Sequence, residues 1–500
     1  MTVSVNGMRI LVTGASGYIG GRLVPALLDD GHDVVCLARS VDRLRDAPWR
    51  GRVDVMKGDV LDGASLRTAM AGVEVAYYLV HALTQRDFED RDRQAAETFA
   101  VAAKDAGVPR IVYLGGLSPG DAELSPHLRS RAEVGEILLA SGVPTIMLRA
   151  AVIIGSGSAS FEMLRYLTER LPAMVTPRWV HSRIQPIAVR DVIRYLTACA
   201  SVPGVVNRAY DIGGPDVLTY RDMMQRYAAV AGLRKRIIVP VPVLSPTLSA
   251  HWVGVVTPVP NSIARPLVAS LKHEVVCADH DIATVVPDPP EGLTGFDEAV
   301  RLALAQVRDM DVATRWSSAT VPDAPSNPLP SDPAWAGGSL YVDERTRVVE
   351  ASPDALWQVI ERIGGGNGWY SWPLAWAVRG WLDRLVGGVG LRRGRRDPRH
   401  LRVGESLDSW RVEELERGRL LRLRAEMKLP GLAWLELSVV DGAPTHVTFR
   451  QRAVFHPRGL AGHVYWWAAK PFHGVVFGGM CRNITQAAQR LDEELRAARD

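Results

Sequence analysis

Cysteine is scarce in this sequence. The 500 residues include only Cys36, Cys199, Cys277 and Cys481, with no Cys-x-x-Cys pair and no spacing typical of metal ligands. This scarcity argues against a disulfide-rich secreted domain and against a cysteine-based metal site, so we expect no metal. Scattered single thiols are typical of buried free cysteines in a reducing compartment, and we therefore expect a cytoplasmic protein.

The chain also lacks a strong excess of either charge. Its 59 Lys and Arg residues against 55 Asp and Glu residues give a net charge of +4. Such a balance does not favour nucleic acid as a partner, and none is expected. The apolar content of 47% is ordinary for a soluble globular protein, and the length predicts two or three domains.

No apolar run is long and uninterrupted. The most apolar late stretch, LAGHVYWWAAKPFHGVVFGGM, contains His463, Lys470, Pro471 and His473. A membrane-crossing helix needs about 20 nearly uninterrupted apolar residues, so the stretch predicts a buried or interfacial helix. Peripheral contact with a membrane surface stays open as an alternative. The chain enters an apolar strand almost at once, which predicts no signal peptide.

Short apolar runs alternate with helical runs through the first half of the chain. The strands MRILVTG, DVVCLAR, EVAYYLV and RIVYLGG are separated by amphipathic segments. Nearly continuous apolar strands indicate a parallel sheet covered by helices on both faces. The predicted fold class is therefore α/β, a doubly wound parallel sheet of the Rossmann kind, with ligands outside the carboxyl ends of its strands.

Composition changes mark the predicted domains. Residues 1–235 form the Rossmann domain, residues 236–316 an extension with possible substrate-side contacts, and residues 317–338 a Pro-rich linker. Residues 339–500 form a second domain, which holds nine of the 14 tryptophans. Its pattern of strand, helix, several strands and a long last helix predicts an α+β fold.

A glycine-rich loop joins the first strand to the first helix. In VTGASGYIGGRL the glycines allow a tight turn, close approach of the backbone to a pyrophosphate, and close packing of helix on strand. The free N–H groups at the start of the helix then favour phosphate. Because the loop follows an apolar strand and opens a helix, it predicts a dinucleotide site. The predicted cofactor contacts are Gly14, Ser16, Gly17, Tyr18, Ile19 and Gly20.

The tip of the second strand favours one dinucleotide over the other. NAD binding calls for a carboxylate there, whereas this sequence has Arg39 and Ser40. A guanidinium suits a 2′-phosphate, so we expect NADP, with NAD as the alternative. After the third strand, Asp59 and Val60 suit an adenine contact, and Asp59 is also a candidate helix cap.

The first 235 or so residues resemble the short-chain dehydrogenase/reductase superfamily, of the atypical NmrA-like kind. The matching motifs are TGASGYIG, GDV, YLVHAL, AAKDAGVPRIVYLGG, SGVPTIMLRA, QPIAVRDV and YDIGGPDVLTYRDM. The resemblance implies that Leu79, Val80 and His81 line the cofactor. It also implies that Gly115 and Gly116 stand near the nicotinamide.

The residues expected for catalysis are replaced. Reductases of this superfamily use a Ser, a Tyr that exchanges a proton and a Lys that holds the ribose. Here the corresponding residues are Ser118, His127 and Arg131. Histidine can act as a general acid, and arginine can still hold ribose hydroxyls. The structural alternative is that His127 packs at a helix start, while Arg131 pairs with Glu97 or Glu133 or meets solvent.

Other side chains could take part in the same chemistry. Tyr77, Tyr78 and Tyr113 are alternative hydroxyls, although their place inside strands predicts a core role. Arg149, at the end of the sixth strand, is a candidate ligand for an anionic substrate group.

The carboxyl-terminal part resembles a START-like helix-grip domain (SRPBCC), and specifically the uncharacterised domain fused to such reductases in bacteria. GGNGWYSW, GWLDRLVGG, LRRGRR, AEMKLPGLAWLEL, FHPRGLAGHVYWW and PFHGVVFGGM carry this resemblance. It implies an apolar cavity for a small hydrophobic molecule. Aromatic side chains that could line it are Trp357, Trp369, Tyr370, Trp372, Trp410, Trp434, Trp466 and Trp467. The six arginines of residues 392–402 form a solvated loop or meet an anionic headgroup.

Together these features predict an NADP(H)-binding oxidoreductase acting on a hydrophobic carbonyl or alcohol. The alternative is a non-catalytic sensor or assembly protein that binds NADP(H), with a lipid-like ligand in its second domain. The sequence indicates neither the substrate nor the oligomeric state.

Overall fold

The computed structural model of the protein describes residues 7–81, 87–118, 124–241, 256–310, 332, 337–371, 395, 397, 400–443 and 446–497. The chain divides into two compact units, Met1–Gly338 and Ser339–Asp500. Of the predicted linker, only residues 332 and 337–338 lie within the described ranges.

Seven parallel strands form the main sheet of the first unit. They are β1 (Arg9–Thr13), β2 (Asp33–Ala38), β3 (Asp54–Lys57), β4 (Val75–Tyr78), β5 (Arg110–Gly116), β6 (Thr145–Ala150) and β11 (Arg208–Ile212). Their order is β11-β6-β5-β4-β1-β2-β3, and every neighbouring pair is parallel. The predicted parallel sheet is confirmed. Since the order reverses between β1 and β4, a crevice for ligands opens at the carboxyl ends of these two strands.

Helices cover both faces of this sheet, as its two-sided apolar strands require. They are α1 (Gly20–Asp29), α2 (Gly63–Ala69), α3 (Phe88–Asp105), α4 (Pro126–Ala140) and α6 (Val189–Ala200). Ile10 and Val12 of β1 belong to the apolar core that contains α1 and α6. Leu11 belongs to the opposite core, which contains α2, α3 and α4. Alternate residues of one strand are thus buried on opposite faces.

The rest of the first unit is built around a third apolar core. Its helices are α5 (Ala159–Arg170), α7 (Tyr220–Val230), α8 (Asn261–Ser270) and α9 (Phe296–Met310). Its short strands are β7 (Ile153–Ile154), β8 (Ala173–Pro177), β9 (Arg183–Ile184), β10 (Ile187–Ala188), β12 (Leu218–Thr219) and β13 (Ile237–Val241). They pair as β7 with β10, β8 with β13, and β9 with β12. Because α8 packs against α4, this region reaches the carboxyl end of the main sheet.

The described residues of the second unit form an antiparallel sheet with two helices, which confirms an α+β fold. The helix-grip assignment stays a prediction. The strands are β14 (Tyr341–Val349), β15 (Ser406–Leu407), β16 (Trp410–Glu416), β17 (Leu420–Ala425), β18 (Gly431–Ala443) and β19 (His446–Pro457), in the order β14-β19-β18-β17-β16-β15. The helices are α10 (Pro353–Glu361) and α11 (Gly459–Ala497). Strands β15 and β16 are separated by a turn at Asp408, whose φ is 53°. The Asp408 carboxylate accepts hydrogen bonds from Gly365 and Trp369 there.

The described tryptophans of the second unit have different surroundings. Trp410, Trp434 and Trp466 line an aromatic pocket with a cavity of about 30 Å³, and Trp357, Trp369 and Trp410 pack in the main core of this unit. Trp467 is 63% exposed, and Trp372 lies outside the described residues. A cavity of this size holds about one water molecule. The larger apolar cavity that the resemblance implies stays a prediction.

The amino-terminal part of α11 exposes apolar side chains. Leu460, Val464 and Trp467 recur on one face of the helix, and all three are exposed. Among the described helices, none is both long and apolar enough to cross a bilayer.

Candidate functional site

The glycine-rich loop lies against the end of β4. Gly14 has a φ of 81°, and a Cβ at this position would stand 2.6 Å from the Leu79 carbonyl oxygen. Any side chain at Gly14 would therefore collide with the backbone that follows β4. Leu79, Val80 and His81, all predicted to line the cofactor, consequently stand beside the loop.

The same loop packs on the start of α1. A Cβ at Gly20 would lie 2.3 Å from the Gly14 carbonyl oxygen, and the Gly17 amide donates to that oxygen at 2.9 Å. Within the described chain, no side chain caps the amino end of α1 at Ile19. The uncapped end and the close-packed backbone fit a dinucleotide pyrophosphate.

The side chain of Tyr18 is occupied by protein contacts. A Cβ on Gly155 would lie 2.3 Å from the Tyr18 hydroxyl, and burial raises the pKa of that hydroxyl well above its usual range. The Arg22 guanidinium stacks on the ring 4.1 Å from its centre and pairs with Asp332 at 2.6 Å. Of Tyr18, the backbone is therefore the part that can make the predicted cofactor contact.

The residues predicted to select the cofactor lie at the carboxyl ends of β2 and β3. Arg39 and Ser40 are exposed directly after β2, and no described residue forms an ion pair with Arg39. Its guanidinium is thus available for a 2′-phosphate. Asp59 and Val60 follow β3, where the Asp59 carboxylate accepts the Leu61 amide. Asp59 is not the helix cap, because Asp62 caps α2 through the Ala64 amide.

Helix α4 approaches the sheet closely and brings the predicted catalytic pair with it. Ser125 caps its amino end. A Cβ on Gly135 would lie 2.4 Å from Met147 Sδ, and one on Gly116 would lie 3.8 Å from Arg131 Cβ. Arg131 therefore stands at the carboxyl end of β5. His127 lies one turn earlier on the same face.

His127 is held in a mostly buried environment. Its Nδ1 lies 3.4 Å from Ser270 Oγ, which itself donates to the Pro266 carbonyl at 3.0 Å. Because Ser270 donates its hydroxyl proton to the Pro266 carbonyl, we assign the proton between Ser270 Oγ and His127 Nδ1 to the histidine. Burial, and then the charge of Arg131, lowers the pKa of His127 to about 3. The ring is consequently neutral near pH 7.

A second histidine faces the first. The ring centres of His81 and His127 are 5.4 Å apart. His81 Nδ1 lies 2.7 Å from Asp92 Oδ2, and Ser130 Oγ donates to the same oxygen at 3.0 Å. Burial, and then Arg131, lowers the pKa of His81 to about 4, although Asp92 opposes the shift. His81 Nε2 is buried and has no hydrogen-bond partner among the described residues.

Several predicted residues are not part of this cluster. Ser118 follows β5 and its hydroxyl is buried, but no hydrogen bond joins it to His127 or Arg131 in the described chain. Tyr77, Tyr78 and Tyr113 are buried in the core, with the Tyr113 hydroxyl donating to the Arg131 carbonyl. Gly115 is buried against the Met147 side chain.

Two ion pairs bear on charged residues discussed from the sequence. Arg149 pairs with the buried Asp211 at 2.6 Å, so it has no free charge for an anionic substrate group. Glu133 pairs with Arg93 rather than with Arg131. Within the described ranges, Arg131 has neither Glu97 nor any other carboxylate as an ion-pair partner.

The sequence reasoning missed Asp92, Ser130 and Ser270. A signal for Asp92 was present, because it occupies the apolar face of α3 together with Ala95, Ala96 and Phe99, all of which are buried. A carboxylate on such a face needs a partner. Ser270 gave no comparable signal, since its contact with α4 depends on the packing of a distant helix.

Two protein families match this chain, in different parts of the sequence. Residues 14–153 match the family described as NAD(P)H-binding. Residues 335–480 match a family described as a protein of unknown function, DUF2867.

Relatives match the first part of the chain. The Arabidopsis thaliana mitochondrial NADH dehydrogenase [ubiquinone] 1 alpha subcomplex subunit 9 is 25% identical over 281 residues, 54% of this chain and 69% of that protein. A ceramide reductase of Caulobacter vibrioides is 29% identical over 238 residues, 46% of this chain and 72% of its own. An uncharacterised Mycobacterium bovis protein is 30% identical over 225 residues, 45% of this chain but only 23% of its own length.

Solved structures are similar to the same part. The Citrobacter triphenylmethane reductase complexed with NADP(H) is 23% identical, with 59% of this chain and 99% of that chain covered and a TM-score of 0.49.

Proposed function

We propose that the protein is an NADP(H)-dependent oxidoreductase of the atypical short-chain dehydrogenase/reductase type, because residues 14–153 match a family described as NAD(P)H-binding and lie in a doubly wound parallel sheet. Its substrate is a hydrophobic carbonyl compound or the corresponding alcohol. Reduction consumes one NADPH and one proton per carbonyl group and yields NADP and the alcohol. A bound nicotinamide supplies the hydride.

The supporting observation is the position of Arg131 and His127 on one face of α4, beside the carboxyl end of β5. Arg131 has no carboxylate partner within the described residues, so its charge is available to hold ribose hydroxyls and to stabilise negative charge on a carbonyl oxygen. His127 is uncharged and can exchange hydrogen bonds with the same oxygen. A relative named ceramide reductase favours a hydrophobic substrate.

The test uses the full chain and a panel of long-chain aldehydes, ketones and quinones, with NADPH consumption as the measurement. Wild type should reduce at least one compound, and Arg131→Ala should weaken NADPH binding. Arg129→Ala is the matched control, because Arg129 lies on the same helix but is exposed and pairs with Glu89. Consumption unaffected by Arg131→Ala would count against the assigned site.

The second candidate is a non-catalytic protein that binds NADP(H) as a sensor or assembly factor. It is favoured by the replacement of the usual Tyr and Lys by His127 and Arg131, and by the absence of a described contact between Ser118 and this pair. Tight NADPH binding with no consumption by any carbonyl in the panel would favour this candidate.

For the second unit we propose a small apolar ligand at the pocket of Trp410, Trp434 and Trp466. The aromatic lining favours apolar surface. Since the cavity is only about 30 Å³, a ligand larger than water needs these side chains to move.

A further inference from the structure

His81 and Asp92 form a close pair at the carboxyl end of β4. The carboxylate is 5% exposed and the imidazole 13% exposed, and 2.7 Å separates Asp92 Oδ2 from His81 Nδ1. Because Ser130 also donates to Oδ2, this oxygen is the acceptor of both hydrogen bonds. The proton of the imidazole therefore lies on Nδ1, and Nε2 carries a lone pair.

His81 Nε2 is the unexplained atom of this pair. It is buried, and no described residue donates to it. Buried polar atoms in folded proteins almost always have a partner, so an exception suggests a ligand atom. The missing partner must be a donor, because Asp92 fixes the tautomer that leaves Nε2 as an acceptor.

The position of His81 indicates where that donor comes from. His81 lies two residues beyond Leu79, whose carbonyl oxygen touches the nucleotide loop at Gly14. Its ring also faces His127, which lies on the same helix face as Arg131. His81 Nε2 is thus placed between the dinucleotide loop and the pair of His127 and Arg131.

We propose that Asp92 and His81 act as a carboxylate–imidazole couple whose Nε2 receives a proton or a hydrogen bond from a hydroxyl group of the bound ligand. This inference rests on the proposed function. The hydroxyl belongs either to the cofactor ribose or to an alcohol substrate. In both cases Nε2 first accepts a hydrogen bond from that hydroxyl.

With an alcohol substrate, Nε2 takes the hydroxyl proton while a hydride passes from the alcohol carbon to NADP, which gives the carbonyl compound and NADPH. The positive charge then on His81 is balanced by Asp92. In the reverse direction Nε2 returns the proton to the carbonyl oxygen. Asp92 is a positioning residue, since it acts only through His81.

Other charged and titratable groups face the couple. Arg131 and the neutral His127 approach from α4. The charge of Arg131 disfavours a positive charge on His81, whereas Asp92 on α3 favours it. The hydroxyl group of a ligand therefore meets a neutral imidazole, which is the form that can accept a proton.

The first test is independent of turnover. Nitrogen-15 NMR of histidine-labelled full chain should show His81 with its proton on Nδ1. Asp92→Asn should shift the ring toward the other tautomer. Asp90→Asn is the matched control, because Asp90 is on the same helix but 79% exposed. A wild-type His81 with its proton on Nε2 would overturn the proposal.

The second test separates the two sources of the hydroxyl. His81→Asn is compared with wild type for NADP binding and for the NADP-dependent oxidation of 1-decanol, in which Nε2 accepts the hydroxyl proton. Weaker NADP binding and an Nε2 resonance that shifts on adding NADP identify the ribose. Unchanged NADP binding together with a kcat about 100-fold lower in His81→Asn identifies the substrate as the source of the hydroxyl. For Asp92→Asn we expect the same direction of change with a smaller loss.

If His81→Asn alters neither NADP binding nor turnover in a folded protein, the couple has no such role. That outcome differs from a failure of the proposed function, in which wild type itself does not consume NADPH. In an inactive wild type, the NADP-binding comparison and the tautomer still decide the proposal.

Discussion

Arg22 and Asp332 are joined by two hydrogen bonds of 2.6 and 3.0 Å, although 310 positions separate them in the sequence. Both side chains are almost completely buried, at 2% and 6% exposure. The pair attaches the end of the first unit to the helix that follows the nucleotide loop. Buried ion pairs are costly to break from one side, because the remaining charge has no counterion.

Asp332→Asn should therefore destabilise the first unit by about 3 kcal/mol. Urea unfolding followed by circular dichroism measures the change. Asp29→Asn is the control, since Asp29 pairs with Arg52 at the surface and such pairs contribute little. Equal stability of the two variants would show that the buried pair does not anchor this segment.

Arg39 should determine the choice of cofactor. Its exposed guanidinium after β2 has no described ion-pair partner, so it can bind a 2′-phosphate by charge-assisted hydrogen bonds. Arg39→Ala should weaken NADPH binding by about 10- to 100-fold and leave NADH binding almost unchanged. Fluorescence titration gives both affinities. Equal affinity of wild type for NADPH and NADH would contradict the assignment.

The two buried histidines should make stability depend on pH. The pKa of His81 is lowered to about 4 and that of His127 to about 3, so the unfolded chain binds protons first as the pH falls. Above the unfolded pKa of about 6.5 neither residue contributes. Between about pH 6.5 and 4, each should reduce stability by at most about 1.4 kcal/mol per pH unit.

Urea unfolding at pH 7, 6 and 5 measures this slope. His127→Asn should reduce this slope by the equivalent of up to one proton. His181→Asn is the control, because His181 is exposed and lies outside the cluster. An unchanged slope in His127→Asn would mean that His127 is not protected from protonation in the folded chain.

The aromatic pocket should respond to apolar ligands. Wild type should bind an apolar fluorophore with a change in tryptophan emission, and Trp434→Ala should reduce the affinity several-fold through the lost contact area. Trp467→Ala is the control, because that ring is 63% exposed and outside the pocket. Native mass spectrometry that finds no bound ligand, together with equal dye affinity in all three proteins, would argue against a ligand site.

The sequence was sufficient for the parts of the fold that follow from local pattern. Apolar strands and the glycine loop predicted the parallel sheet and its dinucleotide end, because both depend on neighbouring residues. Arg149 shows where this reasoning stops. Its position at a strand end was predictable, but its neutralisation by Asp211 required the pairing of β6 with β11.

The candidate site was predicted only in part for the same reason. The register of α4 placed His127 and Arg131 on one face. The groups that determine the protonation of the site come from elsewhere: Asp92 from α3, His81 from the end of β4 and Ser270 from α8. Their meeting depends on three-dimensional packing that no local pattern specifies.

The contact between Gly14 and the carbonyl of Leu79 has a consequence for how the protein can vary. Because the nucleotide loop rests on the backbone that carries His81, the loop cannot change shape without moving that histidine. Gly14→Ala would displace both at once. A substitution that changes cofactor affinity through this loop should therefore also change the ionisation of His81. A related chain in which only one of the two differs should have a different backbone contact between the loop and the end of β4.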